Sequence, residues 1–248
     1  MIISIINQKG GVAKTTSTFN LAHNLADEGY KVLQVDIDPQ GSLTIANGIE
    51  PNNLEKSIYD VLCEDTKIED VIHRVNDNLS ICVSNLDLSA AEINIVNLMA
   101  RESLLKKAIK SVKDDYDYIL IDCPPNLGVL TINALCASEG VIVPVATDYL
   151  SLRGLDLLID TVGKVKENLN EELDIMGVIA TMYESRTRHS NEILEILQKN
   201  HNLLGTISNS VKVKDSILAS TSLQNFEASH KTAKEYKEIS DKIIKLKK

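Results

Sequence analysis

The sequence predicts an α/β fold: a single domain over residues 1–248, built as a doubly wound, mostly parallel sheet flanked by helices. Three observations predict it. Short runs rich in Ile and Val alternate with longer stretches of helical period. Several of the short runs are continuously apolar, as strands covered on both faces must be. No repeat, low-complexity segment or Pro/Gly/Ser-rich linker divides the chain.

Residues 2–6 read as the first strand. The run is apolar but has no basic flank and meets polar Asn7-Gln8-Lys9, so it is not a signal peptide. A helix follows over 15–28 and a second strand over 31–35. Residues 49–78 carry a weaker pattern and read as short surface helices. Strands are expected at 79–83, 118–121, 140–145 and 175–180, separated by helices at 89–113, 127–137 and 150–168. A helix over 190–201, a Ser-rich, partly looped stretch over 205–229 and a last helix over 231–245 complete the pattern.

Composition bounds the function. A chain of 248 residues with 44% apolar and 25% charged residues is globular and buries an ordinary core without staples. It holds no apolar run of the roughly 18 residues that a transmembrane helix needs. Cys63, Cys82, Cys123 and Cys136 show no CxxC spacing, which argues against a zinc site or disulfide framework and fits a reducing cytoplasm. The net charge of −9 makes a general nucleic-acid binder a poor first reading. The charge is uneven, however: residues 229–248 hold seven lysines against three acids, a local basic end that could meet phosphates or could be a solvated helix end.

Asn7-Gln8-Lys9-Gly10-Gly11-Val12-Ala13-Lys14-Thr15-Thr16 lies between the first strand and the first helix, where a phosphate loop belongs. Glycines let successive N–H groups curl toward one anion, and the helix N-terminus adds partial positive charge. Lys14 is placed to reach the β- and γ-phosphates, and the Thr15 hydroxyl to ligate Mg²⁺. The strict GxxxxGK(S/T) pattern is not met, since Gln8 and Ala13 occupy its glycine positions. Asp36 and Asp38 end the second strand, next to the crevice at the carboxyl ends of a doubly wound sheet, and Asp122 ends an apolar strand. Pro124-Pro125, just after Asp122, force a stiff exit from its strand. Cys123 has no base or metal partner in sight and reads as packing.

Lys9-Gly10-Gly11-Val12-Ala13-Lys14-Thr15-Thr16 resembles the deviant Walker A box of the ParA/MinD group of P-loop ATPases. Val35-Asp36-Ile37-Asp38-Pro39-Gln40-Gly41 resembles that group's second box in its ParA form. The run Tyr118 to Asp122 followed by Cys123-Pro124-Pro125 resembles its Walker B strand and switch, and the stretch from Leu127 to Leu135 continues the ParA/Soj pattern. The resemblance is clear over residues 1–180 and looser beyond.

The resemblance implies a P-loop NTPase fold and a Mg²⁺-dependent ATPase. Lys9, Lys14 and Asp38 would be its catalytic residues, with residues 9–16 binding ATP and Thr15, Asp36 and Asp122 grouped at the metal. Asp38 would orient the attacking water. Lys9 would cross a homodimer interface to the partner's nucleotide, as an arginine finger does, or serve its own phosphates. Met182 or Tyr183 could stack on the adenine or simply pack. Where the family carries an arginine-bearing stretch, this chain has Ile207-Ser208-Asn209-Ser210-Val211-Lys212, without those arginines.

The function implied is a ParA-type ATPase of plasmid or chromosome partitioning, cytoplasmic and nucleoid-associated. ATP would build a sandwich dimer, the dimer would bind DNA without sequence preference, and a ParB-like partner would stimulate hydrolysis. The DNA candidates are Arg186, Arg188, Lys212 and Lys214 in one group and Lys242 and Lys245 in the tail. The chain begins at the phosphate-loop strand, so no N-terminal operator-binding domain is expected. The alternative is a MinD-like membrane-positioning ATPase, whose C-terminal amphipathic helix would anchor in lipid; the tail here is amphipathic but lacks Trp and Phe. A redox ATPase would need cluster cysteines, and a small-molecule kinase would need an acceptor pocket that the sequence does not identify.

Overall fold

The computed structural model describes residues 1–247; Lys248, one of the seven tail lysines, lies outside the described residues. The chain runs β1 (Ile2–Ile5), α1 (Lys14–Asp27), β2 (Val32–Asp36), α2 (Ser42–Ala46), α3 (Ile58–Cys63), β3 (Ile72–Arg74), β4 (Leu79–Cys82), α4 (Leu88–Asn94), α5 (Leu104–Ile109) and β5 (Tyr118–Asp122). It continues through α6 (Val129–Ala137), β6 (Gly140–Ala146), α7 (Tyr149–Asn168), β7 (Asp174–Tyr183), α8 (Arg188–Asn200), β8 (Leu203–Ser208), α9 (Val211–Leu218), α10 (Leu223–Glu227) and α11 (Lys231–Lys247).

The eight strands form one sheet in the order β3-β4-β2-β5-β1-β6-β7-β8. All pairings are parallel except β3 with β4. Side chains alternate across it as the period of two demands. Ile3, Ile5, Tyr118 and Leu120 face Leu21 and Leu25 of α1 and Tyr236, Ile239 and Ile243 of α11. Ile2, Ile6, Ile119 and Ile121 face the opposite layer, built from α3 to α8. At Gly205 an added Cβ would meet Ile239 at 2.6 Å, so glycine lets α11 lie directly on β8.

β1 sits between β5 and β6, with β2 just beyond β5. The strand order changes direction here, and the loops at the carboxyl ends of β1, β2 and β5 diverge around a crevice.

Two strands escape the sequence pattern. β3 is three residues long and mostly exposed at an edge, so it carries no apolar run. β8 runs into the stretch read as partly looped; Gly205 and Ser208 dilute its apolar signal, and as the other edge strand it is only partly buried. The long helix expected over 89–113 is broken. Ala100 adopts a left-handed conformation (φ 54°), and a 3-10 turn over Arg101–Ser103 restarts the helix as α5. Asn133 of α6 closes the break: its amide donates to the Arg101 carbonyl at 2.7 Å and its oxygen accepts from Leu105 N at 3.1 Å. A long-range side chain thus satisfies the helix ends, which a local pattern cannot reveal.

His23 is buried in α1 against Phe19, and burial pushes its pKa down to about 4. The unfolded chain therefore binds a proton that the folded one refuses between its ordinary value and about 4. This contribution to stability is present above the unfolded pKa and is lost as pH falls through that window. Urea unfolding at pH 4.5 and pH 7 is expected to show His23→Met losing about 2–3 kcal/mol less on acidification than the parent. Equal losses would exclude His23 as the source.

Candidate functional site

The loop between β1 and α1 is shaped by two left-handed residues, Gly11 (φ 74°) and Ala13 (φ 67°). Glycine adopts this conformation freely; alanine does so at a cost of about 1 kcal/mol. Ala13 is the N-cap of α1 and makes no side-chain cap bond. The loop is held from below instead: Thr181 donates to the Val12 carbonyl at 3.0 Å, and Asn7 bridges the Pro144 carbonyl and Lys9 N. The first turn of α1 points its free N–H groups into the crevice, which makes an anion site.

Lys14 is 7% exposed, and its Nζ donates to the Lys9 carbonyl at 3.2 Å, curled over the loop's centre. Burial pulls its pKa below the usual lysine range, while Asp122 opposes that shift. Thr15 Oγ1 donates to Asp122 Oδ2 at 2.6 Å, and Thr18 Oγ1 lies 3.3 Å from the other oxygen. Asp122 is fully buried and paired in register with Asp36 across the β2–β5 ladder. Burial, with the charge of Asp36 added, raises the Asp122 pKa well above the carboxylate range.

Asp36 is also fully buried, and burial pushes its pKa up to about 7 against hydrogen bonds from Thr44 and Asp38. Its oxygens accept from Asp38 N at 3.1 Å and from Thr44 N and Oγ1, each at 2.9 Å. It lies behind the cleft and is not among the lining residues. Asp122 and the Thr15 hydroxyl bonded to it offer hard oxygens that suit Mg²⁺, with Asp36, its oxygens already hydrogen-bonded, standing behind them.

The cleft itself has a volume of about 430 Å³. Gly10, Gly11, Ala13, Lys14, Thr15 and Thr16 form its floor, Asp38 and Ser42 one wall, and Pro125, Met182 and Ile217 the rim. Met182 (φ 53°) also lines an adjoining cavity of about 100 Å³, with Asn209, Val213 and Lys214. Tyr183 turns away and donates to Asn191 at 2.7 Å. Cys123 is buried, as a packing residue is.

Lys9 lies in its own chain's grip. Its Nζ sits 2.8 and 2.9 Å from the Asp148 oxygens and 2.9 Å from Ser151 Oγ, at the start of α7. Against the upward push of burial, hydrogen bonds from Lys9 and from Ser151 N and Oγ hold the Asp148 pKa below the carboxylate range. Neither Asp148 nor Ser151 stands in a recognisable motif, and their meeting with Lys9 is purely tertiary.

The basic candidates are scattered. Arg188 pairs with Glu192 at 2.7 Å, Lys212 with Glu227 at 3.2 Å, and Lys242 donates to the Leu204 carbonyl at 2.6 Å. Arg186, Lys214 and Lys245 make no ion pair among the described residues. The apolar stripe of α11 is spent inside the protein, with Tyr236, Ile239 and Ile243 buried. No helix among the described residues is long and apolar enough to cross a membrane.

Comparison with known proteins agrees with this geometry. An AAA-domain family profile matches residues 1–175. A chromosome-partitioning ATPase, Soj, from Treponema pallidum is 37% identical over 245 residues, covering 96% of this chain and 95% of that protein. An uncharacterised Mycobacterium tuberculosis protein is 50% identical over 195 residues, and this chain spans 61% of its length. Among solved structures, a plasmid partition protein from Borrelia burgdorferi bound to AMPPNP is 31% identical with a TM-score of 0.87, covering 99% of this chain and 98% of that one. A Mycobacterium smegmatis structure described as cobyrinic acid a,c-diamide synthase, with bound ATP analogue and magnesium, is 33% identical with a TM-score of 0.84, covering 98% and 94%. With a phosphate loop that opens on an extra lysine and near full-length likeness to a partitioning ATPase, the chain belongs to the ParA/Soj family of deviant Walker A P-loop ATPases.

Proposed function

We propose that residues 1–248 form one Mg²⁺-dependent ATPase unit that partitions DNA. The observation that carries this is the convergence of Lys14, Thr15 and Asp38 on one cleft, with Asp122 bonded to Thr15 behind it. ATP binds with its phosphates on residues 9–16 and its base toward Met182. Thr15 and Asp122 would hold Mg²⁺, with Asp36 behind them, and the ion would neutralise phosphate charge. Asp38 orients the attacking water, and Lys14 offsets charge on the transferring phosphoryl group.

ATP is proposed to join two copies face to face. Exposed apolar residues around the cleft support this: Ile45, Tyr149, Leu150 and Leu218 are all more than half exposed. Lys9 then reaches the partner's nucleotide. Its pair with Asp148 is open to solvent, so holding it is worth only about 0–1 kcal/mol and a phosphate can replace it. Lys9→Ala is expected to leave monomer ATP affinity within about threefold while abolishing ATP-driven dimerisation in light scattering. Normal dimerisation would refute the trans role.

The dimer binds DNA nonspecifically on the nucleoid, and a ParB-like partner stimulates hydrolysis and release. The body is acidic, so affinity comes from local cations, and doubling them in a dimer makes DNA binding depend on ATP. Arg186, Lys214 and Lys245 are the cations available without breaking an internal pair; Arg188, Lys212 and Lys242 would have to exchange partners. Lys214→Glu or Lys245→Glu is expected to weaken DNA binding and to lower the salt slope by about 2, since each dimer loses two contacts of roughly 0.9 each. ATP hydrolysis without DNA should be spared. An ATP-bound dimer that retains no DNA at low salt would overturn partitioning and move membrane positioning ahead. Against that alternative stands the apolar stripe of α11, whose Tyr236, Ile239 and Ile243 are buried against the sheet and leave only Leu246 exposed at its end.

A further inference from the structure

Resting on the reading that Asp38 serves the attacking water, we propose that Thr44 and Ser84 are positioning residues for that step. Together they close a ring of hydrogen bonds that fixes the backbone of Asp38. The ring can be traced atom by atom. Asp38 N donates to Asp36 Oδ1 at 3.1 Å, and Thr44 Oγ1 donates to Asp36 Oδ2 at 2.9 Å. The same hydroxyl accepts from Ser84 N at 3.0 Å, and Ser84 Oγ donates to the Asp38 carbonyl at 2.8 Å.

Three separate pieces of chain meet here: the end of β2, helix α2 and the segment leaving β4. Asp36, Thr44 and Ser84 are 0% exposed and Asp38 is 8% exposed, so these bonds act in a dry setting where an unmade one is costly. The N–H and C=O of Asp38 are thereby both committed to the protein. Its Oδ1 also accepts from Gln40 N at 3.0 Å, within the turn that carries it to the cleft wall.

Close packing reinforces the arrangement. Gly41 follows this turn with φ 61°, and a Cβ there would lie 3.2 Å from the Ser84 carbonyl and 3.1 Å from Pro51 Cγ. The turn is therefore pressed against the same segment that supplies Ser84. A carboxylate that must hold one water in line for attack gains from such anchoring, because a misplacement of about 1 Å can cost on the order of 10²-fold in rate. Neither Thr44 nor Ser84 lines the cleft, so an effect of Ser84 on rate passes through Asp38, and one of Thr44 through Asp36 to Asp38.

The test uses full-length protein carrying Thr44→Val, Thr44→Ser or Ser84→Ala. Mg-ATP affinity and single-turnover hydrolysis are measured for each. Thr44→Val and Ser84→Ala are expected to slow hydrolysis by about 10- to 100-fold with affinity within about threefold of the parent. Thr44→Ser keeps the hydroxyl and should restore most of the rate. In an Asp38→Ala background, Ser84→Ala should add no further slowing, because the group it positions is gone. Should Ser84→Ala fail to fold, the Thr44 pair decides by itself. Hydrolysis within about twofold of the parent in Thr44→Val, equal slowing in Thr44→Ser, or full additivity with Asp38→Ala would each overturn the positioning role. Parental hydrolysis in Asp38→Ala would overturn the reading of Asp38 itself and the positioning role with it. An inactive Asp38→Ala beside fully active Thr44 and Ser84 variants would overturn the positioning role only.

Discussion

Lys14→Ala is expected to reduce ATP affinity by at least about 100-fold and to leave no measurable turnover. The buried amine lies over the centre of the loop, and burial has already pulled its pKa down. Its desolvation is therefore met before ATP arrives, and a phosphate bond to it forms in a dry cleft where charge-assisted bonds are strongest. Such a bond to a charged group contributes about 1.5–3 kcal/mol, and Lys14 faces more than one phosphate. The substitution also removes the cation that counters the upward shift of the Asp122 pKa. Titration calorimetry with Mg-ATP measures the effect directly. Parental affinity and turnover in this variant would remove the basis for treating the cleft as a nucleotide site.

Asp38→Ala is expected to separate binding from chemistry. Asp38 lines the cleft together with the phosphate loop, and it makes no bond to Lys14 or Thr15 among the described residues. Mg-ATP should therefore bind with near-parental affinity. Hydrolysis should fall by about 10²- to 10⁴-fold, the range that a positioned base or water-orienting group supplies. If turnover is what dissolves the dimer, the variant should accumulate as a dimer with ATP and stay on DNA. Size-exclusion chromatography with ATP, alongside phosphate release, reads both effects. A variant that stays monomeric, or that turns over normally, would show that another carboxylate does this work.

Each feature legible in the sequence has a local physical cause. The buried strands announce themselves because a parallel strand covered on both faces must be apolar along its length, as at Tyr118–Ile121. The phosphate loop is legible because a strand, a Gly-Gly turn and a helix N-terminus are contiguous in the chain. The carboxylates Asp36, Asp38 and Asp122 are legible because each follows a run that must end at the same edge of the sheet. Edge strands β3 and β8 lack that constraint, since one side of each strand needs no cover, and their composition blurs into loop.

Every element that gave a local signal could thus be read from the sequence alone: the central strands and their helices, the loop at residues 9–16, and the edge on which the acids collect. Contacts between distant segments were decided only by the tertiary structure. Lys9 reads as a cation for a nucleotide's phosphates, its partner's or its own, yet here it is held by Asp148 and Ser151, about 140 residues away. Asp36 reads as a metal-facing acid, yet Thr44 and the turn of Asp38 occupy its oxygens. Ser84 carries no motif and still anchors Asp38. Lys212 and Lys242 count equally as charges in the sequence, but folding brings them to Glu227 and to the Leu204 carbonyl. The reason is common to all of these. Local propensity and period are properties of neighbours in the chain, whereas a side chain's partner is set by which strands the sheet brings side by side.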